Sequence, residues 1–490
     1  MSIRNLRSVA VMPPEIATFV CVLGIVGLFF LDRDREVQTS KALWLPVVWL
    51  LLAGSRAVSQ WLAAFGLGPV VLSTPEQYLE GSPLDRDVLA GLLVLGLIVL
   101  VRRGPQVGRL VRANGPVLLF FFYCGLSVLW SDYPDVAFKR WIKAVGDLVM
   151  VLIVLTDSEP LAALKRLLTR TAFLLLPLSV LFIKYYPDLG RSYSNSWELM
   201  YKGVTDHKNT LGMICLVFGL GFLWRFLEHY RTKGEPHRRR HLLAHGAMLA
   251  MLMWLFWMVN SMTSLSCFLM AGGLLAVMNL HKLGRKLAFV HLLVLAVLSV
   301  SLIALFSDFR GSLLATMGRD STLTGRTDIW RQVLAMDGRP LFGFGYESFW
   351  LGERLERLRS DNVGLMLNEA HNSYIEVYLN LGWCGVTLLA VLILTGYRNV
   401  IVSFRRDPHV GGLKLAYFVA AVIYSLTEAG FRMMAPVWIF FLLATIAVPE
   451  AEAAVTEGPL ALSVEYGANF SECESQVDYV PSVGFREGTI

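Results

Sequence analysis

His371, in Glu369-Ala-His-Asn-Ser-Tyr-Ile-Glu-Val-Tyr, stands where a long polar segment runs back into an apolar one. An imidazole with a pKa near ~6.5 accepts a proton at neutral pH, so His371 reads as a general base. Tyr374 and Tyr378 follow it at helical spacing on one face. The same pattern also reads as a boundary histidine beside an interfacial aromatic belt. Arg326 offers a planar guanidinium that binds phosphate oxygens in pairs; a surface arginine paired with Asp328 or a glutamate fits the position too. His207-Lys208-Asn209 precedes an apolar run. Lys208 there adds positive charge to a helix N-terminus that already favours an anion. Arg191, Arg140 and Arg432 are further cations on the same side, or else snorkel to lipid headgroups. Glu428 and Asp147 are acids within or at the end of apolar runs, where ionisable groups mark function by default. Asp147 also has Lys143 one turn earlier as a possible ion-pair partner.

Several cations and one base on a single face form the set needed to displace a diphosphate. The departing anion needs fixed positive charge, and the attacking hydroxyl must give up its proton. Outside a membrane neither ATP nor a nucleotide sugar is at hand, so an activated group arrives there on a lipid. The sequence has no HExxH, P-loop or GxSxG pattern and no spacing that marks a metal cluster. No metal or cofactor is expected. Cys21, Cys124, Cys215, Cys267 and Cys384 lie in apolar runs and Cys473 in the tail, without redox or metal spacing.

These residues need a membrane to hold them. The chain has 490 residues, 55% hydrophobic and only 17% charged, against about 25% charged in soluble domains. The apolar residues gather in runs of about 15–25, the length of a helix that crosses a ~30 Å hydrocarbon core. Twelve or thirteen such runs fall between 16–31 and 434–448; the second is interrupted by Gly54, Ser55 and Arg56. The first reads as an uncleaved span, because it ends in Phe29, Phe30, Leu31 and Asp32 rather than small residues. Alternating strand patterns are absent, which argues against a barrel. The net charge of +6 sits in short basic clusters between spans, around Arg102–Arg112, Arg231–Arg240, Lys282–Lys286 and Arg398–Arg406, as the positive-inside rule expects. It is no nucleic-acid signature. Those clusters share the cytoplasmic side of an inner membrane, and segments near 131–140, 187–209 and 307–372 face the periplasm.

The expected organisation is all-α and polytopic. A transmembrane bundle covers 1–306, a large periplasmic loop with short helices 307–372, C-terminal spans 373–449, and a disordered cytoplasmic tail 450–490. The loop has eight arginines, nine acids and no lysine. Residues 326–336 have helical apolar spacing at Ile329, Val333, Leu334 and Met336, with Thr324 as a cap. A second polar helix is expected over 350–360.

Trp130-Ser-Asp-Tyr-Pro, Gly203-Val-Thr-Asp-His-Lys-Asn-Thr-Leu-Gly, Thr324-Gly-Arg-Thr-Asp-Ile-Trp, Pro340-Leu-Phe-Gly-Phe-Gly and His371-Asn-Ser-Tyr occur in that order. By them the chain, over roughly 115–445, resembles the O-antigen ligase and polysaccharide polymerase superfamily, most closely its exopolysaccharide-production branch. The resemblance implies a GT-C-like helical core and an inverting, metal-independent glycosyltransferase. It would take a glycan from undecaprenyl diphosphate and pass it to a glycan or a lipid A core, in contact with membrane lipids and no nucleic acid. It makes His371 the acceptor-activating residue and Arg326 a ligand of the donor diphosphate; Lys208, His207, Arg191 and Tyr374 are further candidate substrate contacts by their position and residue type alone. The family's ligases usually carry an arginine after a serine near the start of the span at 262. Here the sequence is Ser264-Leu-Ser, and Lys208 is the candidate replacement for that charge. A lipid-linked glycan transporter or flippase is the competing function, and an assembly scaffold a third. Transporters place polar groups at the midplane, whereas the informative ones here gather at one face.

Overall fold

The computed structural model describes residues 12–33, 38–68, 81–194, 197–232, 237–280, 286–306, 322–336, 338–361 and 368–449, with Gly234 and Gly284 between them. Residues up to Pro449 form one compact unit. The tail from 450, read above as disordered, and residues 307–321, 337 and 362–367 of the loop lie outside the described residues.

Apolar runs become helices because only a helix satisfies its own backbone in lipid. In chain order they are α1 (Pro14–Leu31), α2 (Trp44–Ala53), α3 (Val58–Ala64), α4 (Pro83–Arg102), α5 (Gly104–Ala113), α6 (Gly115–Leu126), α7 (Pro134–Leu155), α8 (Pro160–Tyr185), α9 (Lys208–Arg231), α10 (Arg238–Val259), α11 (Met262–Leu280), α12 (Leu287–Phe306), α13 (Thr322–Ala335), α14 (Gly352–Asp361), α15 (Ser373–Arg406), α16 (Pro408–Tyr424) and α17 (Pro436–Thr445). Proline opens α1, α4, α7, α8, α16 and α17, where its missing N–H is not needed. A hairpin of β1 (Arg191–Tyr193) and β2 (Leu199–Tyr201) pairs antiparallel, with Ser192 opposite Met200.

The chain is a multi-pass membrane protein. Among the described residues α1, α8, α9, α10, α11 and α15 are long and apolar enough to cross, six in all, or up to eight if the bent pairs each count as one span. The pairs are the 3-10 turn at Lys41 with α2 and α3, bent by 62° across the Gly54–Arg56 break, and α5 with α6, bent by 89°. The remaining runs of the twelve or thirteen become short helices, such as α16 and α17, or helices with charges near their ends, such as α4 and α7. Trp49, Phe173, Phe218, Phe222, Trp224, Tyr424, Phe440 and Phe441 fill the bundle core. Phe19, Val26, Leu95 and Ile98 face outward, as lipid contact requires and water would penalise.

One buried acid ties three parts of the bundle together. Asp147 on α7 accepts from Trp49 Nε1 of α2 at 2.7 Å and from the Met434 backbone N–H at 2.8 Å. It does not pair with Lys143, the expectation from helical spacing, because its face of α7 points inward. Gly146 beside it leaves room for the Trp49 ring, which a Cβ would meet at 2.2 Å.

The soluble loop is fixed by its own apolar cluster. Ile329, Val333, Phe344, Phe349, Trp350 and Leu358 pack with Ala370 and Leu379 of the α15 entry. The expected stripe on α13 therefore holds at Ile329 and Val333, while Leu334 is exposed. α13 starts at Thr322, so Thr324 lies inside the helix and does not cap it. The second polar helix appears as α14. Pro340-Leu-Phe-Gly-Phe-Gly docks onto a break in α15 at Gly382 (φ 64). Phe344 N donates to Leu379 O at 3.0 Å and Trp383 N to Pro340 O at 2.9 Å. Gly343 and Gly382 face each other's backbones there, and a Cβ on either would lie within 2.5 Å of the opposite strand of chain. Side chains longer than hydrogen are excluded at this crossing.

Asp147→Ala strands two buried donors, each worth about 1–3 kcal/mol, and lowers the melting temperature of the detergent-solubilised protein. In a Trp49→Phe background one donor is already gone, so the same substitution costs less; equal losses in both backgrounds contradict this account.

Candidate active site

Each residue of His371-Asn-Ser-Tyr has a local task. Asn372 caps α15, accepting from Tyr374 N at 3.0 Å and Ile375 N at 3.2 Å, the role its type favours. Its amide donates to Leu426 O at 3.0 Å. Ser373 Oγ donates to Glu428 O at 3.0 Å and accepts from Phe431 N at 3.0 Å. Tyr374 OH donates to Val422 O at 3.0 Å. Three side chains thus clamp the α15 entry to the turn between α16 and α17. His371 sits at the bend before the cap with φ 50, a left-handed conformation uncommon outside glycine. The bend brings the Glu369 side chain back to the imidazole.

His371 Nδ1 lies 2.9 Å from Glu369 Oε1 and 3.1 Å from Glu428 Oε2. Arg326 on α13 donates through Nη2 to Glu428 Oε1 at 2.9 Å and through Nη1 to Thr427 O. Asn209 on α9 donates to both Glu428 oxygens at 3.3 Å. Arg432 reaches Glu369 Oε2 at 2.8 Å and Glu347 Oε2 at 3.3 Å. Arg326, His371, Glu369, Glu428, Arg432 and His207 all line one cavity of about 1080 Å³ that continues between α2, α3, α4 and α7. An adjoining cavity of about 270 Å³ shares Asn368, Glu369, Ala429 and Arg432 with it.

The other expected residues are placed differently. His207 caps α9, accepting from Asn209 N at 3.2 Å, and lines the cavity. Lys208 begins α9 as expected but is not on the cavity wall. Arg191 donates to Ile183 O at 2.8 Å and faces the Tyr201 ring, away from the wall. Tyr374 is committed to Val422 O and is likewise off the wall. Arg326 is paired with Glu428, while Asp328 pairs with Arg331 at 2.9 Å. Glu369, named above only inside a motif, turns out to be a direct partner of His371.

Residues 246–390 match the family model described as O-Antigen ligase. Over 326 residues the chain is 27% identical to the exopolysaccharide production protein ExoQ of Rhizobium meliloti, covering 63% of this chain and 71% of that one. The chain is thus similar to O-antigen ligases over that segment and to an exopolysaccharide production protein over a longer one. The matched ligase segment holds both Arg326 and His371, whereas Lys208 precedes it and Glu428 follows it. In Ser264-Leu-Ser, the stretch read above as lacking the ligases' extra arginine, Ser264 is fully buried and accepts from Ser261 Oγ at 3.1 Å. No cation reaches the cavity from there.

The ligase-like centre is more tightly charged than the sequence indicated. Burial opposes a charge on His371, but hydrogen bonds and negative charge from Glu369 and Glu428 outweigh it and push its pKa up to about 9. It is an imidazolium at neutral pH, not the neutral ring expected above. Burial raises Glu369, yet the His371 hydrogen bond and charge, with Arg432, bring it down to about 2. Glu347 raises the Arg432 pKa against the effect of burial, with help from Glu369. His207 is lowered, mainly by burial.

Glu369, His371 and Glu428 offer ligand atoms within 4.8 Å of one another. Two guanidinium groups already hold these carboxylates and place positive charge where a dication would sit. His229, His241 and His245 form a second imidazole group that sequence spacing did not reveal. Their rings are stacked, His229 on His241 at 4.6 Å and 9°, so their in-plane lone pairs run side by side. Asp32 Oδ1 lies 3.2 Å from both His241 and His245.

Because His371 is raised in the folded state, its pairing stabilises fully below pH ~6.5 and is lost as pH rises through about 9. Glu369, lowered, contributes above about pH 4.5 and loses this as pH falls towards about 2. The melting temperature of the wild-type protein should fall more steeply than that of His371→Gln between pH 6.5 and 9. Parallel curves over that window contradict the pairing.

Proposed function

We propose that the protein is a glycosyltransferase of surface polysaccharide synthesis, a polymerase or ligase working at the periplasmic face of the inner membrane. Its donor is a glycan on undecaprenyl diphosphate, and its acceptor a growing glycan or a lipid A core. The observation that carries this reading is the meeting of His371 and Arg326 on one carboxylate, Glu428, at the wall of a 1080 Å³ cavity. Similarity to the ligase family and to an exopolysaccharide production protein supports it.

In the proposed reaction, the acceptor hydroxyl oxygen attacks the anomeric carbon of the donor sugar. The bond from that carbon to the diphosphate oxygen breaks, and the lipid diphosphate leaves with both electrons. Attack from the opposite face inverts the anomeric centre. The hydroxyl proton passes to His371 Nε2, while Glu369 and Glu428 hold the Nδ1–H and favour the imidazolium that forms, as an acid does for a catalytic histidine elsewhere. Arg326 and Arg432 carry the charge that grows on the leaving group. That role asks for no metal ion. The adjoining 270 Å³ cavity, with Glu347, Trp350 and Arg359 in its wall, gives the acceptor sugar a place beside the Glu369–Arg432 pair.

The test is transfer by the purified full-length protein in nanodiscs, given lipid-diphosphate-linked repeat units with and without lipid A. A ladder of lengthening glycans identifies a polymerase and a lipid A product a ligase. His371→Ala should lose about 10²–10⁴-fold in rate while remaining folded; undiminished transfer overturns the proposal. The base must be neutral to act, so kcat/KM should rise with pH by up to about tenfold per unit and level off near 9.

A further inference from the structure

The cavity holds more positive charge than the His371 centre uses. Arg326 is bound to Glu428, and Arg432 to Glu369 and Glu347. Arg86, on α4, is paired with Asp87 at 3.0 Å in a largely exposed bridge. Lys139 and Lys143 line the same cavity from α7. Among the described residues neither is within ion-pair distance of a carboxylate. The acid one turn after Lys143 is Asp147, which is committed to Trp49 and Met434. Asp85, the acid across the cavity that acts on Lys143, is held by Ser59 N at 2.8 Å and by Ser59 Oγ.

An ammonium on a cavity wall with no carboxylate in ion-pair distance is placed to meet an anion; Lys143 is half-buried there and Lys139 exposed. Two of them four residues apart stand on one helix face with about 5–6 Å between their Cβ atoms, a spacing suited to two linked phosphates. Their neighbours on the wall include the apolar Phe138 and Ile142 of α7 and Leu89 and Leu93 of α4, along with Asp85 and Arg86. One turn further along α4, Val94, Leu95, Leu97 and Ile98 are exposed. A cationic pair near an apolar wall, on a cavity beside the exposed apolar side of α4, suits a lipid whose head is a diphosphate.

We propose that Lys139 and Lys143 form a docking site for the diphosphate of the lipid-linked donor, with its polyprenyl chain leaving along α4. This rests on the transferase reading above and adds to it a second cationic station in the same cavity. The pair supplies charge that the Ser264-Leu-Ser stretch lacks and for which Lys208 is not placed. The lysines hold the head group, and they neither give nor take a proton in the transfer.

The experiment measures initial rates against donor concentration for full-length protein in nanodiscs, and binding of sugar-free undecaprenyl diphosphate to the His371→Gln protein. Lys139→Gln with Lys143→Gln should raise KM and the dissociation constant for undecaprenyl diphosphate by about tenfold or more, the worth of a lost charged contact, with kcat within about twofold. Arginine at both positions should restore both constants, because it keeps the charge. Excess phosphatidylglycerol should not displace undecaprenyl diphosphate; equal competition by it makes the site a general phospholipid site and overturns the proposal. Unchanged KM and unchanged binding in the glutamine variant also overturn it. Should the double variant not fold, Lys139→Gln, at an exposed position, is read against the same criteria. If His371→Gln retains full transfer, the transferase mechanism fails; if it is inactive while the lysine variants keep wild-type constants, only the docking site fails.

Discussion

Glu428 is 5% exposed and accepts from Arg326, His371 and Asn209 at 2.9, 3.1 and 3.3 Å. A carboxylate so far from water is sustained only by partners that replace its hydration. Its three partners come from α13, from the α15 entry and from α9, segments with no sequence proximity. The need to satisfy this one buried charge therefore draws the soluble loop down onto the bundle. Removing any partner would leave the others holding an unbalanced charge, so the centre behaves as a unit.

That unit works only because its supports are rigid. The His-Asn-Ser-Tyr segment spends three of its four side chains on capping α15 and on bonding to the 422–431 turn, and so leaves the imidazole as the one group directed into the cavity. The loop cluster of Ile329, Val333, Phe349 and Leu358 sets the height of α13 and hence the reach of Arg326. The crossing of Gly343 and Gly382 lets the 340–345 segment lie against α15 at backbone distance. Polar bonds aim the groups, and apolar packing keeps the aim.

Local physics made part of this readable in the sequence. The helix start at Lys208, the α13 stripe, the polar helix near 352 and the break at Gly54–Arg56 all follow from spacing and residue type. Residue type offered His371 and Arg326 only as candidates, each with an ordinary structural alternative, and the structure brings both onto Glu428. What escaped is what tertiary packing decides. Position 208 fixes where a helix begins but not which way a lysine leaves it. The i,i+4 rule offered Asp147 to Lys143, yet burial of one helix face turned the acid towards Trp49. Glu428 was visible as a buried acid, but its partners lie 102 and 57 residues away. Glu369 gained its role from a left-handed bend that no spacing rule reveals. The imidazolium follows from those two acids together, and it changes the protonation state assigned from His371 alone.

The site proposed for a diphosphate nonetheless carries the carboxylates of Glu347, Glu369 and Glu428. The reason lies in the environment. Guanidinium groups inside a membrane bundle need counter-charges to stay in place, and the acids supply these in fixed geometry. The same acids raise the proton affinity of His371, which favours taking a proton from a weakly acidic hydroxyl but lowers the fraction of neutral base at pH 7. The two demands pull against each other, and Arg326 and Arg432 set the balance because they draw negative charge away from the imidazole. A diphosphate that took its whole counter-charge from these arginines would disturb that balance. In the docking proposed for Lys139 and Lys143, which have no carboxylate in ion-pair distance, the anion would be neutralised without emptying the arginine–glutamate pairs on which the protonation of His371 depends.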